Sequence, residues 1–343
     1  MPIPHPPAGT VLICGPRKRL RAKRSLMGRY ILRRLFLTVP VLLGVTFLTF
    51  ALIRIIPGDI VTNMMGVTAA NNEEIRAAVL RELGLDRPLL EQYVWWLGRI
   101  FRGDLGYSFI HGGPVIDQIL RRFPITFQIA AMSMAFALLI GVPLGVLSAI
   151  RRGKGIDLAM RVFSLVGISA PNFFVGTLIV VFGAIYFPGV TTLGHVPFLE
   201  APLDNLSRMF WPSLTLGLGI GAILLRYTRS SMLEVLGEDY VRTAEAMGLS
   251  SFSVIFVHAL KNALIPVITA VGVWSAFLVS GTVLLEEVFA IPGLGRLVLS
   301  AIENRDYPII QGTVLFLAFC VAMVMLIADL FVALVDPRVK LAR

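Results

Sequence analysis

Six long apolar stretches, separated by charged or proline- and glycine-rich segments, dominate the pattern of the chain. A helix needs roughly 20 apolar residues to cross about 30 Å of hydrocarbon, and it satisfies its own backbone hydrogen bonds. We therefore predict an all-α membrane protein with six transmembrane helices, at residues 35–56, 125–150, 158–187, 209–225, 264–289 and 309–335. The fourth stretch, SLTLGLGIGAILL, is short and glycine-rich, which favours close packing against other helices.

The composition agrees with a membrane protein and excludes several other classes. Of 343 residues, 56% are hydrophobic and only 15% are charged, which is outside the range of ordinary soluble domains. The net charge of +10 does not indicate nucleic-acid binding, because the basic residues gather at the ends of apolar stretches. Cys14 lies in a basic tail and Cys320 in an apolar stretch, so neither a disulfide framework nor a metal site is predicted.

The distribution of lysine and arginine predicts the orientation in the membrane. Basic clusters precede the first span, join the second to the third, follow the fourth and close the chain, whereas the other short connections carry few basic residues. By the positive-inside rule both termini are cytoplasmic, as is the segment between spans four and five, and we predict a multi-pass protein of a bacterial inner membrane. Arg54 and Arg161 lie near span ends, where long side chains reach the interface, and this is favoured over a substrate role.

Three regions follow from this pattern. Residues 1–26 form a basic extension without a signal peptide, and we expect either a disordered tail or a natural start at Met27. Residues 27–124 hold the first span and a long extracytoplasmic segment. Residues 125–343 hold the other five spans, with a polar loop at about 226–263.

That polar loop contains DYVRTAEAMGLSSFSVIFVHALKNALIPV, which predicts two helices joined by a turn. Gly237 is expected to end the preceding helix in a left-handed conformation, Asp239 to cap a short helix at 240–247, and Gly248 to end it. Ser250 or Ser251 then caps a second helix, whose apolar stripe is expected to pack under the bundle and consists of Phe252, Ile255, Phe256, Ala259, Leu260 and Ala263. A helix this short is unstable alone, so it is either an interfacial loop or a docking element for a soluble partner.

This stretch resembles the loop with the EAA signature in permeases of ABC importers, in the form found in the dipeptide, oligopeptide and nickel permease family. That form is similar to D-Y-V-R-T-A-x-A-x-G-L followed by H-A-L-x-N-A-L-I-P. It departs from the broader signature at Arg242 and Thr243, and Glu245 and Met247 stand where basic residues are expected. Other similar pieces are RIIPGD, LGLDRPLLEQYVWWL, GDLGYS, SAPNFFVG and EEVFAIPGLGRLVLSAIENRDYPIIQG, so the resemblance extends over nearly the whole chain from Met27.

The resemblance implies an ABC importer permease fold with a cytoplasmic coupling helix between helices four and five. The implied partners are a second homologous permease subunit, one or two ATPase subunits, an extracytoplasmic binding protein, membrane lipid and a peptide substrate. The chain has no G-x-x-x-x-G-K-[ST] loop, so ATP and magnesium would be bound by the partner ATPase, and no catalytic, cofactor or metal site is expected here. The implied ATPase-coupling residues are Asp239, Tyr240, Val241, Arg242, Thr243, Ala244, Glu245, Ala246, Met247, Gly248 and Leu249.

Four polar residues are weaker candidates for the extracytoplasmic face or the translocation path: Asp59, Asn172, Glu286 and Glu287. For the glutamate pair, interfacial pairing with Arg296 or with the partner subunit is favoured over contact with a cationic substrate group. The amphipathic segment NNEEIRAAVLRELGLDRPLLEQYVWWLGRIF is expected to lie on the outer membrane face, which is favoured over direct contact with the binding protein.

Alternatives to a peptide importer remain open at this point. The same machinery imports glutathione or chelated nickel in other members of the resembled family. A self-sufficient secondary transporter is disfavoured, because the sequence shows no inverted repeat and no acidic relay at mid-span. A membrane enzyme is disfavoured because His111, His195 and His258 are scattered, without a metalloprotease motif or nucleophile elbow.

Overall fold

The computed structural model of the protein describes residues 16–55, 62, 72–82, 84–187 and 192–335, and these form a helical bundle with one short hairpin. The first part of the chain gives α1 (Pro16–Ile55), α2 (Glu73–Glu82), α3 (Leu89–Phe101), β1 (Tyr107–Ser108) and β2 (Gly113–Pro114). The bundle continues with α4 (Val115–Ile150), α5 (Gly155–Ser169), α6 (Asn172–Tyr186) and α7 (Pro202–Leu236). The remaining elements are α8 (Asp239–Ala246), α9 (Ser251–Ser253), a π-helical turn (Val254–Ala259), α10 (Leu260–Gly281), α11 (Val283–Val288), α12 (Leu294–Glu303) and α13 (Tyr307–Val335).

Among the described residues, four helical segments are long and apolar enough to cross a membrane: Val115–Ile150, Pro202–Leu236, Ser251–Val279 and Tyr307–Val332. A fifth candidate is the pair α5 and α6, which meets at a bend of 95°. The first predicted span corresponds to a shorter apolar stretch, Phe36–Ala51, inside α1. The fourth span is longer than predicted, because α7 extends to 35 residues through its less apolar ends.

Helices α4 and α7 run parallel and pack unusually closely. A Cβ on Gly141 would lie 2.6 Å from the carbonyl oxygen of Gly221, and a Cβ on Gly217 would lie 2.9 Å from the carbonyl oxygen of Ser133. Such separations leave no room for a side chain, so the glycines allow the two backbones to meet. The prediction that the glycine-rich span packs closely is confirmed. Because the helices are parallel, both begin at one end of the bundle, called the far end below, and both finish at the other.

The main hydrophobic core lies between α4, α7, α10 and α11. Ile129 of α4, Leu216 of α7, Leu278 of α10 and Phe289 after α11 are buried in it. Among the described residues, one further apolar cluster joins the start of α4 to α12 and α13, another lies where α4 and α7 finish, and another joins the end of α7 to α8 and the π-helical turn. Helices α5 and α6 keep large exposed apolar side chains, such as Leu165 and Phe182, as expected of helices that face lipid or another subunit.

Candidate functional site

The candidate site is the elbow, defined here as residues 237–259, which joins α7 to α10. Gly237 closes α7 in a right-handed conformation with φ −83°, so the predicted left-handed end is wrong. Glu238, and not Asp239, occupies the N-cap position of α8, because its carbonyl oxygen accepts the backbone N–H groups of Val241 and Arg242 at 3.1 and 3.3 Å. Asp239 is the first helical residue, and its negative charge there still interacts favourably with the helix dipole.

Helix α8 ends in a Schellman motif. The N–H of Gly248 donates to the carbonyl of Glu245 at 2.9 Å, and the N–H of Leu249 donates to the carbonyl of Ala244 at 3.3 Å. Gly248 has φ +79°, a left-handed conformation that costs other residues free energy. The chain therefore turns away from α8 at the glycine that the sequence indicates.

One face of α8 holds the helix against the bundle. Val241 is 1% exposed and Ala244 is also buried, and both pack with Val254 of the π-helical turn against Val235 and Leu236 of α7. The short helix is thus stabilised by tertiary contacts, which its length requires.

The second half of the elbow differs from its prediction. The Oγ of Ser250 accepts the N–H of Ser253 at 3.3 Å, which confirms the predicted serine cap. The next six residues, Val254–Ala259, form a π-helical turn instead of an α-helix. This wider turn changes the register of the stripe, so Ala259 and Ala263 are buried while Phe252 and Phe256 are exposed and contact each other at 4.7 Å between ring centroids. The expectation that all six positions pack under the bundle is wrong for these two.

One polar contact joins α8 of the elbow to α10, and a second joins α7 to α10. The side-chain N–H of Asn262 donates to the Tyr240 hydroxyl at 2.8 Å, which links α8 to α10. The Ser231 hydroxyl donates to the Ala263 carbonyl at 2.8 Å, which links α7 to α10. Helix α8 is thus bonded to α10, and α10 is bonded to α7.

The outer surface of the elbow is apolar and carries exposed charges at its rim. Met247 is 70% exposed and Phe252 is 69% exposed, and the surface continues through Tyr240, Leu249, Phe256 and Val257. Asp239 and Arg242 form an exposed pair at 3.6 Å, and Thr243 Oγ1 donates to the Asp239 carbonyl at 2.9 Å. Glu245 and Ala246 are also exposed. A buried inner face beside an exposed apolar outer face suits binding of another protein.

A buried ion pair, which the sequence analysis did not identify, lies beside the elbow. Asp157 of α5 is 1% exposed and accepts the Arg229 Nε–H and Nη2–H at 2.8 and 3.0 Å. The Ser148 hydroxyl and the Gly153 N–H donate to the same carboxylate at 2.7 and 3.0 Å. Arg161 is mostly exposed and lies 3.8 Å from Asp157, at the margin of this cluster.

The two glutamates of the far end have different environments. Glu287 forms an ion pair with Arg296 at 3.3 Å, in line with the favoured interpretation. Glu286 is 0% exposed, and its carboxylate accepts the Thr126 and Thr282 hydroxyls at 2.8 and 2.9 Å and the Arg296 N–H at 3.1 Å. Since Arg296 lies in the first turn of α12, Glu286 holds the start of that helix.

The other two candidate path residues lie apart from the glutamates. Asn172 is the first residue of α6, directly after the bend, and its Oδ1 lies 2.7 Å from where a Cβ on Gly219 would stand. It therefore contacts the middle of α7. Asp59 lies outside the described residues.

Two further polar clusters fasten the far end. The Asp306 carboxylate, which is buried before α13, accepts the Ser108 hydroxyl of the hairpin and lies 2.9 Å from His111 Nδ1. Asn205 at the start of α7 donates to the Val196 carbonyl at 2.7 Å and lies 3.5 Å from His195 Nε2. Burial, with a smaller effect from the Arg208 charge, lowers the pKa of His195.

Comparison with known sequences identifies the family. The sequence profile described as "Binding-protein-dependent transport system inner membrane component" matches residues 141–341, and the profile of its N-terminal part matches residues 27–130. The chain belongs to this family. Members are inner membrane components, in keeping with the apolar helices described above.

Individual members of the family match along most of the chain. The dipeptide transport system permease protein DppB of Escherichia coli strain K12 is 38% identical over 337 residues, covering 92% of this chain and 99% of its own. A probable peptide ABC transporter permease of Sinorhizobium fredii is 40% identical over 314 residues, covering 92% and 100%. A solved chain of the MetNI methionine ABC transporter, in an inward-facing form, has a TM-score of 0.52 and 18% identity, covering 63% of this chain and 95% of its own. That likeness shows an ABC importer permease fold.

Proposed function

We propose that this chain is a permease subunit of an ATP-driven importer, forming part of the membrane path for di- or oligopeptides. Membership of the family and 38–40% identity to dipeptide and peptide permeases support this function. All six predicted apolar segments cross the inner membrane, with both termini and the elbow in the cytoplasm, as the basic clusters favour. A second permease subunit completes the path, and an extracytoplasmic binding protein delivers the peptide.

The observation that carries the mechanism is the two-faced elbow. Its inner face, at Val241 and Ala244, packs on the bundle, and its outer face presents Met247 and Phe252 to a partner. A cytoplasmic ATPase binds this outer face, and it supplies the nucleotide chemistry and the magnesium ion. Closure of the ATPases displaces α8, and the contacts of Tyr240 and Ser231 pass that displacement to α10 and α7. The solute path then opens alternately to each side by movement of helix groups.

The elbow is tested in the complete importer, reconstituted with its ATPases and binding protein in vesicles. We expect Met247→Arg and Phe252→Ser to lower peptide uptake and ligand-stimulated ATP hydrolysis together by about tenfold, the effect of roughly 1.4 kcal/mol lost at the contact. Leu199→Ser is the control, because Leu199 is 95% exposed but lies just before the start of α7, at the far end. Normal uptake in both elbow variants would rule out the docking surface.

Orientation and dependence on partners are tested separately. A cysteine at Thr243, which is exposed on α8, is expected to react with a membrane-impermeant reagent only from the cytoplasmic side. Labelling from the other side would contradict the proposed topology. Solute movement by this chain alone would favour a secondary transporter over the importer.

The peptide assignment is tested through the binding protein that delivers solute to this importer. We expect di- or oligopeptides to raise its melting temperature and to stimulate ATP hydrolysis in the complex. Stabilisation only by glutathione or a nickel chelate would assign the same machinery to those solutes.

A further inference from the structure

The buried ion pair between Asp157 and Arg229 lies outside the elbow and brings together parts of α4, α5 and α7. Asp157 stands near the start of α5, Ser148 near the end of α4, Gly153 in the turn between them, and Arg229 on α7. Each oxygen of the Asp157 carboxylate accepts two hydrogen bonds, Oδ1 from Ser148 and Arg229 and Oδ2 from Gly153 and Arg229. The carboxylate therefore ties the α4–α5 turn to α7.

The geometry of this pair fixes both the distance between the Asp157 carboxylate and the Arg229 guanidinium and their relative orientation. Two nitrogens of the Arg229 guanidinium contact two oxygens of one carboxylate, and a fork of this kind fixes the relative orientation of its partners. The Ser148 and Gly153 bonds hold the carboxylate from the other side, so it cannot turn freely. A displacement of α7 at Arg229 is consequently transmitted to the α4–α5 turn.

Arg229 is also close to the elbow along the same helix. It lies about two turns before Leu236, where α7 ends and the contact with α8 begins. The neighbouring cluster of Val146, Ala149, Met232, Ala259 and Ala263 fills the space between the ends of α4 and α7 and the start of α10. Apolar packing of this kind does not fix the relative orientation of the helices, because the hydrophobic effect is non-directional, whereas the two-pronged ion pair does fix it.

We propose that Asp157 and Arg229 are positioning residues that make the α4–α5 turn follow α7 when α8 is displaced. This inference rests on the proposed function, because it presumes that a partner moves α8. In this arrangement α4, α5 and α7 move as one unit. The angle between α5 and α6 changes at their bend, so that α6 and the rest of the bundle do not have to move with them. Without the pair, the partner ATPase continues to hydrolyse ATP, but the hydrolysis is poorly converted into solute movement.

The first experiment measures coupling in the complete importer in vesicles, as peptide taken up per ATP hydrolysed. Arg229→Lys keeps the charge and removes the two-pronged contact, and we expect ATP hydrolysis within about twofold of wild type with uptake per ATP at least fivefold lower. Asp157→Asn is expected to act in the same direction. Arg226→Lys is the matched control, since Arg226 is exposed one turn earlier on α7, and its ratio is expected to stay at the wild-type value.

The second experiment measures a distance with the native ion pair and with Arg229→Lys. Spin labels at Lys154→Cys and Arg226→Cys, in a chain with both native cysteines replaced by alanine, report the distance between the α4–α5 turn and α7. We expect that distance to stay the same with and without ATP in the wild-type background, and to change in the Arg229→Lys background.

The outcomes separate this inference from the proposed function. An unchanged uptake per ATP in Arg229→Lys, or a distance that changes by several ångströms between nucleotide states in the wild-type background, overturns the positioning role. If Met247→Arg abolishes stimulated hydrolysis in the same preparation, the docking function stands even then. If Met247→Arg and Phe252→Ser both have no effect, the docking surface of the proposed function itself fails.

Discussion

The polar groups at the two ends of α7 differ in their burial and in their hydrogen-bond partners. At the far end, buried carboxylates find their donors inside the chain, as Glu286 does with two threonine hydroxyls and a backbone N–H. Beside the elbow the Asp157–Arg229 pair is buried, whereas the charges of α8 and the apolar side chains of Met247 and Phe252 are exposed. The buried carboxylates of the far end are satisfied within the chain, whereas the elbow has the composition of a surface that another protein covers.

The largest expected effect tests the internal character of the far end. A Cβ on Gly293 would overlap the Glu286 carboxylate, so Gly293→Ala must displace a buried charged group from its hydrogen bonds. We expect a loss of about 3 kcal/mol or more in stability, measured as a fall in melting temperature of the purified protein. Gly98→Ala on α3 is the matched control, since no atom lies within 4 Å of the added Cβ. A melting temperature for Gly293→Ala that equals the control would show that the carboxylate is not held as described.

A second prediction tests the turn of the elbow. No atom lies within 4 Å of a Cβ at Gly248, so the only obstacle to a side chain is its φ of +79°. We expect Gly248→Val to cost about 1–2 kcal/mol of local strain and to reduce peptide uptake in the assembled importer. Gly248→Asn is expected to keep most of the uptake, because asparagine tolerates the left-handed conformation. Equal uptake in the two variants would contradict a requirement for this backbone conformation.

Sequence reasoning located the elbow well because its signals are local. The predicted helix at 240–247 differs by one residue at each end from the observed Asp239–Ala246, and Gly248, which ends it, and Ser250, which caps the next helix, follow closely in the chain. Four of the predicted spans match long apolar helices among the described residues for the same reason, since each is a continuous stretch. The cap was predicted at Asp239, one residue too late. Glu238 and Asp239 are both acidic, and the sequence alone does not show which backbone carbonyl accepts the first N–H of the helix.

The features that were missed depend on contacts between distant parts of the chain. Asp157 and Arg229 are separated by 72 positions, and no periodic pattern pairs them. Glu286 was placed at the interface because hydropathy assigns charged residues to water, and its donors Thr126 and Arg296 become neighbours only in the folded chain. The π-helical turn changed the stripe through Phe252 and Phe256, because the prediction assumed 3.6 residues per turn throughout.

A third prediction concerns pH at the far end. The lowered pKa of His195 means that the unfolded chain binds more protons than the folded protein between the folded value and the ordinary value of about 6.5. Stability therefore falls as the pH drops through this window. We expect His195→Gln to show a smaller fall in melting temperature than wild type between about pH 7.5 and pH 5.5. Leu199→Ser, in the same loop, is expected to keep the wild-type fall, and an equal fall in His195→Gln would contradict the assignment.

The smallest expected effect concerns the ion pair of Arg99 and Asp104. This pair is more exposed to solvent than Glu286, so it is expected to contribute less to stability. Arg99 Nε donates to the Asp104 carboxylate at 2.7 Å, and this bond is the main cause of the lowered pKa of Asp104. Its contribution is present above the ordinary pKa of about 3.9 and is lost as the pH falls through the folded value. Because the Asp104 side chain is half-exposed, we expect Asp104→Asn to cost less than about 1 kcal/mol at neutral pH, and less in high salt. A salt-independent loss as large as that of Gly293→Ala would show that an exposed pair holds the far end as firmly as buried Glu286 does.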